Sequence, residues 1–402
     1  MSDRESQDRP QGEGEQPSAW GPPDARGPGP APAPYPGGYP PSYPGSYPPP
    51  YPGGYPPQPW PDGAWASPPV PPVPAPLPSF PHPRPTPYHE MLRTWTYAWW
   101  KPVLGSVLVV LGMLLVAPLL LLPVLALAVA LEGGPFMDKF LSALSLQTVD
   151  PAALLYLNLV LGSMILITWF VMRVVHRMRP RWLTSVMPRM RWRFFFVCLG
   201  LAVVALLAQI AVSAVLPGAQ EGDLSQGLND FTGTTAVLAV IVLLTTPLQA
   251  AGEEYAFRGY LLQALGSLFR RRWVAILATA VLFAFAHGVQ NFPLFFDRFT
   301  FGLIAGWLVT RTGGLEAGIA MHILNNFLAF GFALSFGDLT STLNVSEVSW
   351  WNIVLTVTQS GVYAVLVLWV ARRMGLQQTT RPPAEPPYEV PAADAAPVPS
   401  GA

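Results

Sequence analysis

Long apolar runs fill most of the sequence between residues 102 and 371. A helix needs about 20 largely apolar residues to cross the hydrocarbon core of a bilayer, where every backbone polar group must be satisfied within the span. The runs predict about eight spanning helices, near 102–131, 152–175, 194–216, 235–268, 273–290, 299–311, 315–336 and 351–371. The predicted fold class is therefore an all-α polytopic membrane protein, a bundle of transmembrane helices.

Charge density agrees with this prediction. Only 11% of the residues are charged, whereas about 25% is usual in soluble proteins. The fourth run is long enough to be bent or broken, with Pro247 and Gly252 as natural break points, and the sixth run is short. Formal net charge is zero and no basic domain stands out, so nothing indicates nucleic-acid binding.

Basic and acidic residues alternate along the connections between the predicted spans. The basic residues follow the second, fourth, sixth and last runs, and they are Arg173, Arg177, Arg179, Arg181, Arg189, Arg191, Arg193, Arg270, Arg271, Arg272, Arg311, Arg372 and Arg373. The other connections carry Glu132, Asp138, Glu221, Asp223, Asp230, Asp338 and Glu347. Because short cytoplasmic loops accumulate Lys and Arg, the pattern predicts a multi-pass protein of the cell membrane with both termini in the cytoplasm.

The ends of the chain differ in composition from the apolar centre. Residues 1–95 are rich in Pro, Gly, Ser and Tyr and have few aliphatic side chains to form a core, which predicts a disordered cytoplasmic tail. Residues 376–402 predict a shorter disordered tail, which leaves 96–375 as the transmembrane domain.

His82 and His89 in the first tail, and His176 in an Arg-rich loop, are predicted to be solvated. The single cysteine, Cys198, excludes an internal disulfide framework.

Ionisable residues inside the predicted spans are few. They are Glu253, Glu254 and Arg258 on the fourth span, His287 on the fifth and His322 on the seventh. A charge at mid-bilayer costs at least about 2.5 to 3.5 kcal/mol on insertion scales, so such residues mark a functional interior by default. The alternative is a buried polar network with a purely structural role.

Helical spacing assigns different roles to the two glutamates. Glu254 and Arg258 are four residues apart and lie on one face, which predicts a structural ion pair. Glu253 points away from Arg258, and this leaves its carboxylate free to act as a general base.

The same spacing groups side chains on the other two helices. Phe283 and His287 are four residues apart, so the phenyl ring can pack beside the imidazole. His322 and Asn326 are also four apart, which places two hydrogen-bond donors side by side. Two donors on one face can stabilise an oxyanion.

These residues also form three short motifs that resemble those of a known family. Residues 253–261 look like its EExxxR motif, residues 283–287 match FxxxH and residues 322–326 match HxxxN. The family is the CPBP group of CAAX-protease and bacteriocin-processing, or Abi-like, membrane endopeptidases, which is related to the type II CAAX prenyl proteases. The similarity covers a core of about residues 190–335, and three motifs in order on separate spans are specific.

The resemblance implies hydrolysis of a peptide bond in a membrane-associated protein or peptide. It implies that Glu253 is the general base, that His287 positions the water, and that His322 and Asn326 form the oxyanion hole. Supporting roles fall to Glu254, Arg258 and Phe283.

No cofactor is favoured by this assignment, although zinc or another divalent metal is possible. Glu253, His287 and His322 would be an adequate ligand set for a catalytic metal. A metal held by both histidines, however, would leave fewer donors for the oxyanion.

Two other functions fit the same polar core. One is a proton-coupled transporter in which Glu253, His287 and His322 relay protons, although the sequence has no obvious inverted repeat. The other is a non-catalytic membrane scaffold that recruits partners through its Tyr-Pro-rich tail. The sequence leaves open the oligomeric state, the identity of the substrate and whether that substrate is prenylated.

Overall fold

The computed structural model describes residues 80–216, 227–288 and 290–381. Residues 1–79 and 382–402, which make up most of the two predicted tails, lie outside the described residues. Within the described ranges the chain is helical, with only two isolated β-bridges. Short 3-10 helices cover Tyr88–Glu90 and Pro180–Leu183. The α-helices are α1 (Trp100–Glu132), α2 (Phe136–Ser145), α3 (Pro151–Val174), α4 (Trp192–Ser213), α5 (Gly233–Phe269), α6 (Arg272–Ala286), α7 (Phe292–Thr312), α8 (Glu316–Phe336), α9 (Leu339–Leu343) and α10 (Trp351–Arg373).

Most of these helices are suited to a bilayer. In the part of the chain that the structure describes, 7 helices are long and apolar enough to cross a membrane, namely α1, α3, α4, α5, α7, α8 and α10. Helix α6 is apolar but has only 15 residues. Every one of the predicted apolar runs is helical, so the predicted all-α polytopic fold is confirmed.

The prediction was wrong about which run is the short one. Helix α6 ends at Ala286, because His287 leaves the helical conformation and Gly288 has a φ of 84°. Helix α7 begins earlier than predicted, since the Asn291 side chain caps the Leu294 N–H at 3.1 Å and Pro293 occupies the first turn. The fifth span is therefore the short one, and the sixth has 21 residues.

Helix α5 is not broken where the sequence predicted. It continues through Pro247 and Gly252 and changes instead to a π-helix over Tyr255–Leu261. Gly252 allows α5 to approach α3 closely, because a Cβ at this position would lie 2.1 Å from the Leu161 carbonyl oxygen. Single π-turns inside α-helices occur frequently at functional sites.

Helix α5 lies at the centre of the bundle. It packs against α3 on one side and α8 on another, and α8 also packs against α4. Helix α7 packs against α6 and α10, and α10 closes the bundle against α4. The polar residues of α5, α6 and α8 are therefore brought to one interior region.

The loop between α3 and α4 docks on the turn between α7 and α8. Val186 N donates to the Gly313 carbonyl, and Leu315 N donates to the Thr184 carbonyl, each at 2.9 Å. Arg191 donates to both carboxylate oxygens of the fully buried Glu316. A buried pair whose members satisfy each other fixes this loop in place, since removing one partner leaves an uncompensated charge.

Residues 80–99, here called the juxtamembrane segment, are packed rather than solvated. Tyr88 is fully buried and donates to the Leu183 carbonyl, and His82 bonds to the Met91 carbonyl at 2.8 Å. At the other end of the chain, Thr380 N donates to the Thr86 carbonyl at 2.9 Å. The packed domain thus extends from residue 80 to residue 381, beyond the predicted limits of 96 and 375.

The three histidines predicted to be solvated are therefore buried, and that prediction was wrong. His82, His89 and His176 are each less than one-tenth exposed. Burial lowers the pKa of all three, that of His176 to about 4, where Lys101 adds a smaller effect in the same direction. Their rings are therefore neutral at pH 7, and His176 bonds to the Tyr260 hydroxyl at 2.8 Å.

Gly318 of α8 leaves space for the Glu254 carboxylate of α5. A Cβ there would lie 2.6 Å from Oε2 of Glu254, whose other oxygen is held by two hydrogen bonds. We expect Gly318→Ala to destabilise the protein by about 1 to 3 kcal/mol, because the carboxylate cannot move without losing those bonds. Thermal unfolding of the purified protein in detergent measures the change.

Gly331→Ala is the matched control on the same helix, since a Cβ there meets nothing within 4 Å. It should be neutral or stabilising by about 0.5 to 1 kcal/mol, because alanine is the better helix former. Equal shifts of the unfolding temperature for both variants would contradict the tight contact at Gly318.

Candidate active site

Glu254 is the buried centre of a polar cluster. Its carboxylate has no exposed surface, and Oε1 accepts from Arg258 Nη1 at 2.7 Å and from His322 Nδ1 at 3.0 Å. The ion pair that the helical spacing predicts is therefore present. The hydrogen bond from His322 of α8 could not be predicted from the spacing of residues along one helix, because it joins two helices that are distant in the sequence.

His322 lies between the two glutamates. A carboxylate can only accept hydrogen bonds, so the bond to Glu254 assigns the proton of the neutral ring to Nδ1. Nε2 is then free, and it faces the Glu253 carboxylate with a separation of 4.0 Å from Oε2. Glu253 is therefore close to His322, and the ring has a defined orientation.

Arg258 is fully buried and has aromatic as well as ionic neighbours. Its guanidinium carbon lies 4.0 Å from the centre of the Phe283 ring and 5.0 Å from that of Phe301. Nε and Nη2 have no hydrogen-bond partner, so the two rings supply the cation–π attraction that a buried guanidinium otherwise lacks. Phe301 also lies 4.9 Å from the His322 ring. The helical spacing assigned a role to Phe283 but none to Phe301.

His287 follows the last residue of α6. Its Nδ1 bonds to the Phe283 carbonyl at 2.8 Å, and the two rings are 4.6 Å apart, as their spacing predicts. The bond to a carbonyl assigns the proton of the neutral ring to Nδ1 and leaves Nε2 as an acceptor. The short α6 is what places this imidazole at a helix end rather than along a helix face.

An amide that the sequence analysis missed connects Glu253 to Asn326. Gln249 Nε2 donates to Glu253 Oε1 at 2.5 Å, and Gln249 Oε1 accepts from Asn326 Nδ2 at 2.8 Å. Gln249 lies four residues before Glu253, so a buried amide on the same face of an apolar helix was the available signal. Asn326 retains a second N–H that this bridge does not use.

The four predicted catalytic residues line one cavity of about 380 Å³. Glu253, His287, His322 and Asn326 all contribute to its wall, and Gln249 does so as well. Glu254 and Arg258 lie behind this wall. A carboxylate beside two imidazoles and two amides can accept a proton and stabilise a developing negative charge in the same space.

The candidate metal ligands do not form a compact set. In the described ranges no group of three His, Cys, Asp or Glu side chains is arranged to hold a metal ion. Glu253 Oε2 and His322 Nε2 are 4.0 Å apart, whereas two ligands of a tetrahedral zinc ion with bonds of about 2.0 to 2.2 Å are about 3.4 Å apart. The side-chain positions therefore do not fit the possible site at Glu253, His287 and His322.

Comparison with known proteins agrees with the three motifs. Residues 234–328 match the family described as Type II CAAX prenyl endopeptidase Rce1-like, a range that begins in α5 and ends in α8. YyaK of Bacillus subtilis (strain 168), whose own description is an uncharacterized protein, is 24% identical over 245 residues, which cover 57% of this chain and 79% of that protein. No solved structure matches the chain. The region that matches the Rce1-like family, residues 234–328, contains every predicted site residue.

Proposed function

We propose that this protein is an intramembrane endopeptidase that hydrolyses a peptide bond in a membrane-associated protein or peptide. One observation carries the proposal: Glu253, His287, His322 and Asn326 line a single cavity, and all four lie in the region that matches the Rce1-like family. Glu253 and His322 are buried among apolar helices, where ionisable side chains are costly. Together the four side chains meet the needs of amide hydrolysis. A structural network alone would not require them to face an open space.

The first chemical step assigned to this site is attack of water on the scissile carbonyl. Glu253 takes a proton from the water as the oxygen bonds to the carbonyl carbon. The free Nε2 of His287 accepts the second O–H of the water and orients it. Gln249 holds one oxygen of Glu253 by its 2.5 Å hydrogen bond, which directs the other oxygen toward His322 and the cavity.

The tetrahedral intermediate places a negative charge on the former carbonyl oxygen. The unused N–H of Asn326 is one donor to this oxyanion. His322 donates from Nε2 only as the imidazolium, because its Nδ1–H is bound to Glu254. The second step breaks the C–N bond, and the proton held by Glu253 moves to the leaving nitrogen.

Glu253→Gln tests the role of the general base. We expect the rate of peptide cleavage to fall by a factor of about 10² to 10⁴, because the amide cannot accept the proton of water. The measurement is cleavage of a peptide library by the purified protein, combined with proteomics of cleaved termini in cells that express each form. The thermal unfolding temperature should remain close to that of the unsubstituted protein.

The matched control is Glu347→Gln, which makes the same change at an exposed position outside the cavity. It should retain full cleavage activity. Retention of activity in Glu253→Gln, or loss of activity in both variants, would contradict the assignment of Glu253 as the base.

We propose further that the reaction needs no metal ion. This is supported by the described side chains, no three of which are arranged to hold a metal ion. A reaction without a metal also leaves His322 available as an oxyanion donor. The cleavage rate should be unchanged after treatment with a chelator. Loss of activity that is restored by added zinc would overturn the proposal.

Gln249 is proposed as a positioning residue. Gln249→Leu removes both hydrogen bonds of the amide bridge. If each bond contributes roughly 1.4 kcal/mol to transition-state stabilisation, its loss lowers kcat about tenfold, and we expect a smaller change in KM. The measurement is steady-state kinetics on a peptide that the unsubstituted protein cleaves.

Gln263→Leu is the control for this prediction. Gln263 is also buried on α5 and bonds to the Trp182 carbonyl at 3.1 Å, but it does not line the cavity. It should lower stability and leave kcat unchanged. The same kinetic pattern in both variants would indicate that Gln249 acts only through folding.

A further inference from the structure

The cavity extends from the polar cluster toward one end of the helix bundle. Three connecting regions contribute to its wall, and they are represented by Leu146 after α2, by Gln290 between α6 and α7, and by Thr342, Leu343 and Val345 between α8 and α10. The rings of Phe283 and Phe301 and the side chain of Phe257 line its inner end. The end of the bundle that these connections form is called the cavity face below.

The positions of the lining residues along the helices give the same direction. On α7 they fall in the first half, at Leu294, Asp297, Arg298 and Phe301, whereas on α8 they reach into the second half, at Ala329 and Phe330. Because α7 and α8 follow each other through a short turn, the first half of one lies beside the second half of the other. The cavity therefore occupies the half of the bundle nearer the cavity face.

The opposite end of the bundle covers the polar cluster. The loop between α3 and α4 is bonded to the turn before α8, and the hydroxyls of Thr184 and Tyr255 are 2.6 Å apart. The juxtamembrane segment packs at the same end of the bundle, where the Tyr97 hydroxyl donates to the Ser267 carbonyl at 3.2 Å. Glu254 and Arg258 have no exposed surface beneath this cover. A substrate cannot reach Glu253 from this end without displacing packed backbone.

Charge distinguishes the two ends. The covered end carries the arginines of the α3–α4, α5–α6 and α7–α8 connections and of the end of α10, whereas the acidic Glu132, Asp138, Asp150, Asp338 and Glu347 lie in or beside connections of the cavity face. Short connections rich in Lys and Arg remain in the cytoplasm. The covered end is therefore the end that the charge rule assigns to the cytoplasm.

We propose that the cavity opens on the non-cytoplasmic side of the membrane. The substrate class that follows is a translocated segment, which means the extracytoplasmic part of a membrane-anchored or exported polypeptide rather than a cytosolic protein tail. The statement about the substrate rests on the proposed peptidase function. The statement about the cavity does not, because it depends only on the fold and the charge distribution.

Cysteine accessibility tests the orientation in intact cells. Cys198 is the single cysteine and is buried, so Cys198→Ala provides a background without thiols. Glu347→Cys and Gln290→Cys then place a thiol on the cavity face and at the cavity wall, and Arg271→Cys places one on the covered end. The probe is a membrane-impermeant maleimide that is added before or after permeabilisation.

We expect the first two cysteines to react in intact cells and Arg271→Cys to react only after permeabilisation. The reverse pattern would overturn the proposal. If Gln290→Cys does not accumulate, Thr342→Cys replaces it, since Thr342 lines another part of the same wall.

A second measurement connects the orientation to access. Gln290→Cys or Thr342→Cys protein is labelled in intact cells with a bulky impermeant maleimide, purified, and assayed on peptides that the unlabelled variant cleaves. We expect labelling to cause loss of cleavage, whereas Arg271→Cys treated in the same way keeps its activity. Full activity after complete labelling of the wall would contradict entry through this side. External labelling without cleavage by any form would leave the orientation established and refute the peptidase function.

Discussion

The bonds between Glu254, Arg258 and His322 are the interaction on which the rest of the site depends. Arg258 cannot lose its proton, and a buried guanidinium must be neutralised or it will destabilise the bundle. Glu254 supplies the opposite charge at 2.7 Å, and two phenyl rings cover the remaining surface of the cation. The second bond of Glu254 then fixes the His322 ring. One carboxylate therefore neutralises a charge, joins α5 to α8 and orients an imidazole.

This arrangement requires backbones to approach closely, and glycine makes the approach possible. Gly318 leaves space for Glu254, and Gly252 lets α5 lie against the α3 carbonyl of Leu161. Helix α5 changes to its π-helical segment directly after these two contacts. The neighbouring glutamates consequently have different surroundings, since Glu254 is enclosed by protein whereas Glu253 lines the cavity. This difference separates a structural carboxylate from one that can contact a substrate.

The sequence predicted what is local and missed what depends on packing between distant segments. Apolar runs identified every long helix, and a spacing of four residues identified the Glu254–Arg258 pair, because both follow from helix geometry. Neither the bond from His322 to Glu254 nor the role of Phe301 follows from spacing, since each joins separate helices. His82 and His176 were wrongly predicted to be solvated, because their proline-rich and Arg-rich surroundings do not reveal the aromatic residues that cover them. The contact between Gln249 and Glu253 could have been predicted, since the two residues share a helix face.

The two ends of the bundle solve different physical problems. The Arg-rich end is closed by backbone hydrogen bonds and by the buried Arg191–Glu316 pair, which hold loops over the apolar interior. The cavity face keeps polar groups such as Asp297 and Arg298 partly exposed, so water can enter the space beside Glu253. Hydrolysis needs that water, while the Glu254–Arg258 pair is strongest where water is excluded. Opening the bundle at one end alone satisfies both requirements, and the direction of opening then determines which polypeptides can reach the site.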